Sequence, residues 1–388
     1  MLYACNKLAL VVLLFWFVFV TTCSAFAQTE TVLYTFTNET DGSYPSSVVV
    51  DSEGNVYGTT SNGGTYFYGN VFKITPSGVF TNLYSFTGES DGFAPFAGLA
   101  IDGQGNLYGT TAQGGDGGSG EGTVFELTPS GTKTILHNFS CPTDGCLPDA
   151  TLTLDTQGNL YGTTLTGGAN NYGGVFKVTS SGTFSLLYSF TVPTRDSTSS
   201  VVADSQGNVY GTTYNAGAGF GSVFKLTPSG DELTLHAFTP AHRDGFYPYA
   251  GPVLDASGNL RGTATSGGAV GVGVLFEVSP SGKETILHSF AGGADGIFPD
   301  SAVVFDNSGN LYGTTSYGGA FDLGTVYEVT SAGVEKILHS FASNKKDGNF
   351  PSVGVVLDKS GNLYGSTGQG GSSTACQGGC GIVYKIVP

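Results

Sequence analysis

The sequence predicts an all-β chain folded as a seven-bladed β-propeller of four-stranded antiparallel blades, and three observations carry that expectation. A hydrophobic strand ending in Asp-x-x-Gly-Asn-[Val/Leu] and followed by a Tyr-Gly-Thr-Thr-like stretch recurs seven times, with Gly-Asn pairs beginning at Gly54, Gly105, Gly158, Gly207, Gly258, Gly309 and Gly361. The steps between copies are 51, 53, 49, 51, 51 and 52 residues, a period that fits strand-built propeller blades. A second motif, Leu-[Tyr/His]-x-Phe, also occurs seven times, but its first copy, at 33–36, precedes the first copy of the other motif.

The repeat at 46–86 shows how one blade is built. Val48-Val49-Val50 is an apolar run of the kind buried on both faces, and Asp51-Ser52-Glu53-Gly54-Asn55 supplies an Asx acceptor and a glycine suited to positive φ. The second strand, 56–60, sets Val56 and Gly58 on one face and Tyr57 and Thr59 on the other. A glycine-rich loop at 61–69 leads to a third strand at 70–75. Pro76-Ser77-Gly78 then turns the chain into the fourth strand, 80–86.

The offset between the two motifs predicts how the ring closes. The chain opens with an isolated fourth strand, 31–36, and stops at Val387-Pro388, where the other repeats turn toward theirs. Pairing 31–36 with the last blade would leave no open edge. Residues 28–388 are thus expected to form one propeller, with blades near 46–86, 97–139, 150–190, 199–238, 250–290, 301–341, and 352–388 plus 31–36. Repetition lets a chain of 388 residues grow without a single enlarging core.

Turns of the Asp-x-x-Gly-Asn and Pro-Ser-Gly types are short and nearly constant in length, whereas the loops after the second and fourth strands vary. Alternate turns of an up-and-down blade lie on one side, so the variable loops share a face, where function is expected to reside.

Residues 1–27 read as a secretory signal peptide. Lys7 is their only charge, residues 8–20 form an apolar run too short to span a bilayer, and Ala25-Phe26-Ala27 offers a small-residue cleavage site. A lipidation box ending in Cys23 is the competing reading, which Thr22 matches poorly. The remainder carries no apolar stretch long enough to span a membrane, and an exported chain, extracellular or periplasmic, is expected. The whole chain's formal charge of −16, with 14 basic against 30 acidic residues, argues against nucleic-acid binding, which needs Lys and Arg on phosphates. Four cysteines remain beyond the leader. Cys141 with Cys146 and Cys376 with Cys380 read as local disulfides, because a zinc site needs four ligands together and the two pairs lie in separate repeats.

The repeated core, complete at 102–111 and 306–315, resembles that of the GloVer-type (Gloeo/Verruco) tandem-repeat proteins, exported bacterial β-propellers, and is more distantly similar to NHL-type propellers. The resemblance covers nearly all of the chain after the leader. It implies no established activity, substrate or catalytic set. Members often carry a surface-sorting segment, whereas here Pro388 follows directly on the last strand, so release or periplasmic residence is expected. Two places depart from the repeat: Arg261 and Ala264 replace the Tyr and final Thr of the fifth copy, and Thr194-Arg195-Asp196-Ser197 replaces the usual Asp-Gly-x-x-Pro. An Arg in that Tyr position needs a carboxylate or water to satisfy it.

Several groups are candidates for chemistry. Asp41, Asp91, Asp144, Asp244, Asp295 and Asp347 each begin an Asp-Gly-x-x-Pro segment and are expected to ring the channel mouth, either as an acidic collar for Ca²⁺ or a polar ligand, or as structural turn residues. The Asp-x-x-Gly-Asn turns lack the acidic twelfth residue of an EF-hand, Asn62 standing at that place after Asp51, and read as hairpin closures. His137, His236, His288 and His339 occupy the slot held elsewhere by Tyr34, Tyr84 and Tyr188. One per blade, they cannot share a single metal and read as flat packing residues with a polar tip. His242, beside Arg243, is either a general acid or base or a solvated loop residue. Tyr66, Phe67, Tyr68, Phe93, Phe96, Tyr172, Phe220, Tyr247, Tyr249 and Phe321 put rings among Gly, Asn and Asp in the variable loops, a mixture suited to a glycan or a protein partner, or to plugging the channel.

The function expected from these features is a binding or interaction module, monomeric and without a cofactor, using its variable face. The alternatives are an extracellular propeller lyase or hydrolase at the channel mouth, and a structural envelope or matrix component.

Overall fold

The computed structural model of the protein describes residues 29–116, 121–191, 199–216, 219–240, 244–342, 344 and 346–388. These residues form seven blades of antiparallel strands arranged as a propeller. In the first blade the strands are Val49–Val50, Val56–Asn62, Asn70–Ile74 and Phe80–Ser85, from the axis outward. A further short strand, Ser43–Pro45, pairs with the loop end of the second. The last blade contains Val356–Leu357, Leu363–Thr367 and Ile382–Val387, and its outer place is taken by Thr29–Thr35. That strand pairs antiparallel with the C-terminal one, from Thr29 opposite Val387 to Thr35 opposite Ile382, so the ring closes as expected. Among the described residues no helix is long and apolar enough to cross a membrane.

The apolar core is divided into seven layers, one between each pair of neighbouring blades. Each layer is centred on the Phe that ends the Leu-[Tyr/His]-x-Phe motif. Phe36 meets Phe72, Phe86 meets Phe125, Phe139 meets Phe176, and Phe190 meets Phe224. Phe238 meets Phe276, Phe290 meets Tyr327, and Phe341 meets Tyr384. All seven are edge-to-face pairs with centroids 5.1 to 5.9 Å apart, the favoured geometry for two ring quadrupoles.

The Leu of the same motif is a β-bulge in every blade. Leu33, Leu83, Leu136, Leu187, Leu235, Leu287 and Leu338 are skipped in the register between third and fourth strands. A bulge re-aims side chains. Here Leu33 and Tyr34 pack into one layer, as do Leu83 with Tyr84 and Leu187 with Tyr188.

Each residue of Tyr-Gly-Thr-Thr has a separate task. The Tyr57 hydroxyl donates to Asp51 at 3.0 Å, and Asp51 in turn accepts from the Glu53 and Asn55 backbone N–H groups and the Asn55 side chain, locking the hairpin. Gly58 lies under the Phe72 ring, where a Cβ would come within 2.6 Å of Cζ. Thr59 donates across to the next blade, to the Ala97 carbonyl at 2.8 Å, and Thr163, Thr212, Thr263 and Thr314 make the same kind of bond to Ser199, Ala250, Ser301 and Val353. Ser366 makes the same bond to the Ser46 carbonyl across the ring closure at 2.6 Å, whereas the equivalent Thr110 hydroxyl of the second blade is buried without a hydrogen-bond partner. Thr60 stays within its blade and bonds Asn70 at 2.9 Å.

Two expectations follow. Phe36→Ala should cost about 3–5 kcal/mol, because it empties the layer at the closure, and removal of residues 28–36 should lower the thermal midpoint; urea and thermal melts unchanged by both would contradict closure by this strand. The turn carboxyls of Asp51, Asp102, Asp155, Asp204, Asp255, Asp306 and Asp358 all lie below the usual range, because, although burial opposes ionisation, hydrogen bonds from the following Asn and its neighbours outweigh it. A depressed folded pKa gives stability that is complete above the unfolded value of about 3.9 and disappears as pH falls through the folded value. Asp102→Asn should therefore be less stable than the parent at pH 7, with the gap closing below about pH 4; a gap that stays constant down to acid would refute this.

Candidate functional site

The loops after the second strands and those leading into the next blades are tied together by backbone hydrogen bonds. The N–H groups of Tyr44, Ala94, Leu147, Tyr247, Phe298 and Phe350 donate to the carbonyls of Cys380, Tyr68, Glu121, Phe220, Val272 and Leu323 at 2.9 to 3.3 Å. Each donor residue has φ between 51° and 62° and stands directly before a proline. Left-handed backbone at a non-glycine, before proline especially, costs on the order of 1–3 kcal/mol. The same strained step, with its hydrogen bond, ties neighbouring loops of the variable face together in six blades.

Residues just past those prolines line the mouth of an axial cavity of about 510 Å³, walled by residues in or just before the innermost strand of each of the seven blades. Phe96, Asp149, Tyr249, Asp300 and Ser352 occupy this position. The Phe96 and Tyr249 side chains are 55% and 43% exposed, large for aromatic rings, and they come from the second and fifth blades. Asp300 accepts from the Ser316 hydroxyl, while its other oxygen is shut from solvent without a hydrogen-bond partner. Burial pushes its carboxyl up to about 6, against the pull of that hydroxyl.

From Tyr249 a run of rings extends outward. Tyr214 lies edge-on to Tyr249 at 6.1 Å and stacks on Tyr247 at 4.9 Å, and Phe220 continues it at 6.0 Å from Tyr247. A second group joins Phe298, Tyr317 and Phe350, with centroid distances of 6.0 and 4.9 Å. Tyr66, Tyr68 and Phe321 are exposed on loops, Phe93 packs on Tyr68 at 5.5 Å, and Tyr172 packs against the layer between the third and fourth blades.

None of the six Asp-Gly aspartates faces the cavity, which corrects the expected collar at the channel mouth. Asp41, Asp91, Asp144, Asp244, Asp295 and Asp347 are held at the outer rim, because each caps the loop leaving a fourth strand. Asp41 accepts from the Tyr34 hydroxyl at 3.1 Å and from the Thr37 N–H at 2.8 Å, and Asp91 accepts equivalently from Tyr84 and Thr87. Where the strand carries His, the imidazole takes the hydroxyl's place, as with His137 and Asp144 at 2.9 Å. Tyr66, Tyr68, Phe93, Tyr172, Phe220, Tyr247 and Phe321 also lie outside the cavity lining. Asp149 and Asp300 escaped sequence reasoning; their signal was the position after the proline, where the copies read Ser46, Phe96, Asp149, Tyr249, Asp300 and Ser352. The segment 194–197, His242 and Arg243 lie outside the described residues.

Both disulfides are present, Cys141 with Cys146 and Cys376 with Cys380. Cys380 packs into the layer at the ring closure, and its carbonyl accepts from Tyr44, so this clip anchors the last blade's loop to the first blade. Arg261 finds two carboxylates, Asp255 at 3.1 Å and Glu277 at 2.8 Å. Glu277 stands where four third strands carry Lys73, Lys177, Lys225 or Lys385 over the Tyr ring and two carry Glu126 or Glu328 opposite it, so the fifth blade pairs its Arg with a carboxylate the repeat already uses at that position.

Fold and face together define a β-propeller with a ligand-sized axial cavity on its variable side. The chain belongs to the Gloeobacter/Verrucomicrobia repeat family, whose sequence model matches residues 17–219 and 196–388. Among solved structures it is similar to the extracellular domain of a putative one-component system from B. thetaiotaomicron, with a TM-score of 0.57 and 14% identity over 92% of this chain. The chain spans about 40% of the length of that protein. A gluconolactonase from Xanthomonas campestris aligns with a TM-score of 0.45 and 12% identity, over 92% of this chain and 89% of that one. No curated protein matches the sequence.

The strained step before each proline gives a test with an unusual sign. Ala94, at φ 54°, should gain up to about 1 kcal/mol in stability on replacement by Gly, whereas glycine elsewhere in the sheet destabilises. A lowered urea midpoint for Ala94→Gly would show that this backbone is not strained.

Proposed function

We propose that the protein is an exported binding module that takes a saccharide-like ligand into the axial cavity. The observation that carries this reading is the composition of the mouth: two exposed rings, Phe96 and Tyr249, set with two carboxylates, Asp149 and Asp300, over about 510 Å³. That volume falls within the range of about 300–1,000 Å³ usual for small-molecule sites. Flat rings offer contact area at low entropic cost, and carboxylates accept hydrogen bonds from hydroxyls. Export is supported by the leader-like residues 1–27 and by two disulfides, which persist in oxidising compartments.

A lyase or hydrolase at the same mouth is the second reading, and Asp300 favours it. Its carboxyl, pushed up toward neutrality by burial, is suited to give or take a proton.

Glycan-array screening followed by calorimetry tests both. The binding module predicts a retained glycan whose affinity falls at least tenfold in Phe96→Ala and Tyr249→Ala, without turnover. Equal affinity in those variants, or no glycan retained, would overturn it. Turnover lost in Asp300→Asn would replace it by the enzyme.

A further inference from the structure

A second set of polar side chains meets at the outer rim. Four residues before the Tyr/His of each fourth strand, the copies read Glu30, Phe80, Lys133, Phe184, Glu232, Glu284 and Glu335. At three successive blade junctions this Glu reaches the His of the preceding blade and the Asp of the loop between them. The groups are His236, Asp244 and Glu284; His288, Asp295 and Glu335; and His339, Asp347 and Glu30, in each of which the three donor atoms lie within 4.8 Å of one another.

The separations are those of metal ligands. His236 Nε2 is 3.5 Å from Asp244 and 3.7 Å from Glu284, and His288 Nε2 is 3.2 Å from Asp295 and 3.7 Å from Glu335. His339 Nε2 is 3.2 Å from Asp347. A tetrahedral zinc with bonds of about 2.1 Å sets its ligands about 3.4 Å apart. In the first group His236 Nε2, Asp244 Oδ1 and Glu284 Oε1 are all closed off from solvent without any hydrogen-bond partner, and so are Glu335 Oε1 and Glu30 Oε1 in the others. Unpaired buried polar atoms are costly, and one cation would satisfy three at once. The carboxylates are already oriented: Asp244 accepts from the Thr239 N–H, Asp295 from that of Ala291 and Asp347 from that of Ala342.

Two of the four remaining junctions supply an internal comparison. Where Tyr84 replaces His, Lys133 stands in the Glu position and brings its own ammonium, which donates to the Asp91 carbonyl at 2.6 Å. At His137 the position is Phe184, whose ring stacks on the imidazole at 3.9 Å. Thus one junction of the same design holds a built-in cation, and another has its third ligand replaced by a packing ring.

We propose that the three His-Asp-Glu groups are binding sites for a divalent transition metal of the zinc type, each joining two blades through one imidazole nitrogen and two carboxylates. The imidazole selects such a metal over Ca²⁺, which takes oxygen ligands. The third site uses Glu30 on the closing strand, so its metal cross-links the N-terminal strand to the sixth blade.

The test is zinc titration of the purified chain, untagged and first stripped with chelator, followed by metal analysis. Three ions per chain are expected; Glu30→Gln, Glu284→Gln and Glu335→Gln should each remove one, whereas His137→Ala should keep all three. No bound zinc, or the same stoichiometry in all three Gln variants, overturns the proposal. Zinc-edge X-ray absorption of the parent protein is independent of whether any variant folds: a shell of nitrogen and oxygen supports the sites, and sulfur ligation overturns them.

Discussion

Each blade is held to the next by one repeated contact, a fourth-strand Phe set edge-on against a third-strand ring of its neighbour. Because the apolar layers lie between blades, no blade contains a core of its own, and each is stable only with both neighbours in place. Ring closure is therefore part of the stability of every blade. Phe36 occupies the same place at the junction of the chain ends that Phe86 and Phe139 occupy elsewhere. Shape decides this contact more than polarity: Tyr327 and Tyr384 stand in the third-strand ring position with hydroxyls that have no hydrogen-bond partner.

A scaffold satisfied by its repeats leaves its loops free to diverge, but it does not leave them loose. Strained residues before the prolines hold the loops in place by backbone bonds that do not depend on side-chain identity. Side chains on either side of that step can then change without moving the face. The residues after the prolines collect at the axis as Phe96, Asp149, Tyr249 and Asp300, and those of the Asp-Gly segments collect at the rim with the fourth-strand His and Glu. Two polar environments arise from one short segment of each repeat.

The fifth blade shows how the scaffold tolerates change. Arg261 takes the Tyr position and pairs with Asp255 as the hydroxyl would, while Glu277, at a position that two Tyr-bearing blades also fill with Glu, supplies a second carboxylate. Ala264 loses the Thr hydroxyl, and Val274 opposite it removes the need for a polar partner. The need for a carboxylate beside Arg261 was legible from the residue itself. Which carboxylates would supply it was not, since Glu277 is 16 positions away and becomes a neighbour only through strand register.

Blade number, strand order, the offset closure, the two cysteine pairs and the division into a constant and a variable face were all legible in the chain, because each is written in local motifs repeated at fixed spacing. The destination of the Asp-Gly aspartates was not. Their sequence neighbours are turn residues, and only the bulge at the fourth-strand Leu, which aims Tyr34 or His137 at the loop, decides that they face the rim. The axial carboxylates, and the His, Asp and Glu brought together from two blades, depend likewise on how far each blade is rotated against the next. Local spacing determined the strands and their count; the meeting of side chains across junctions was decided by the closed ring, where residues one repeat apart, or at opposite ends of the chain, are set side by side by packing rather than by sequence.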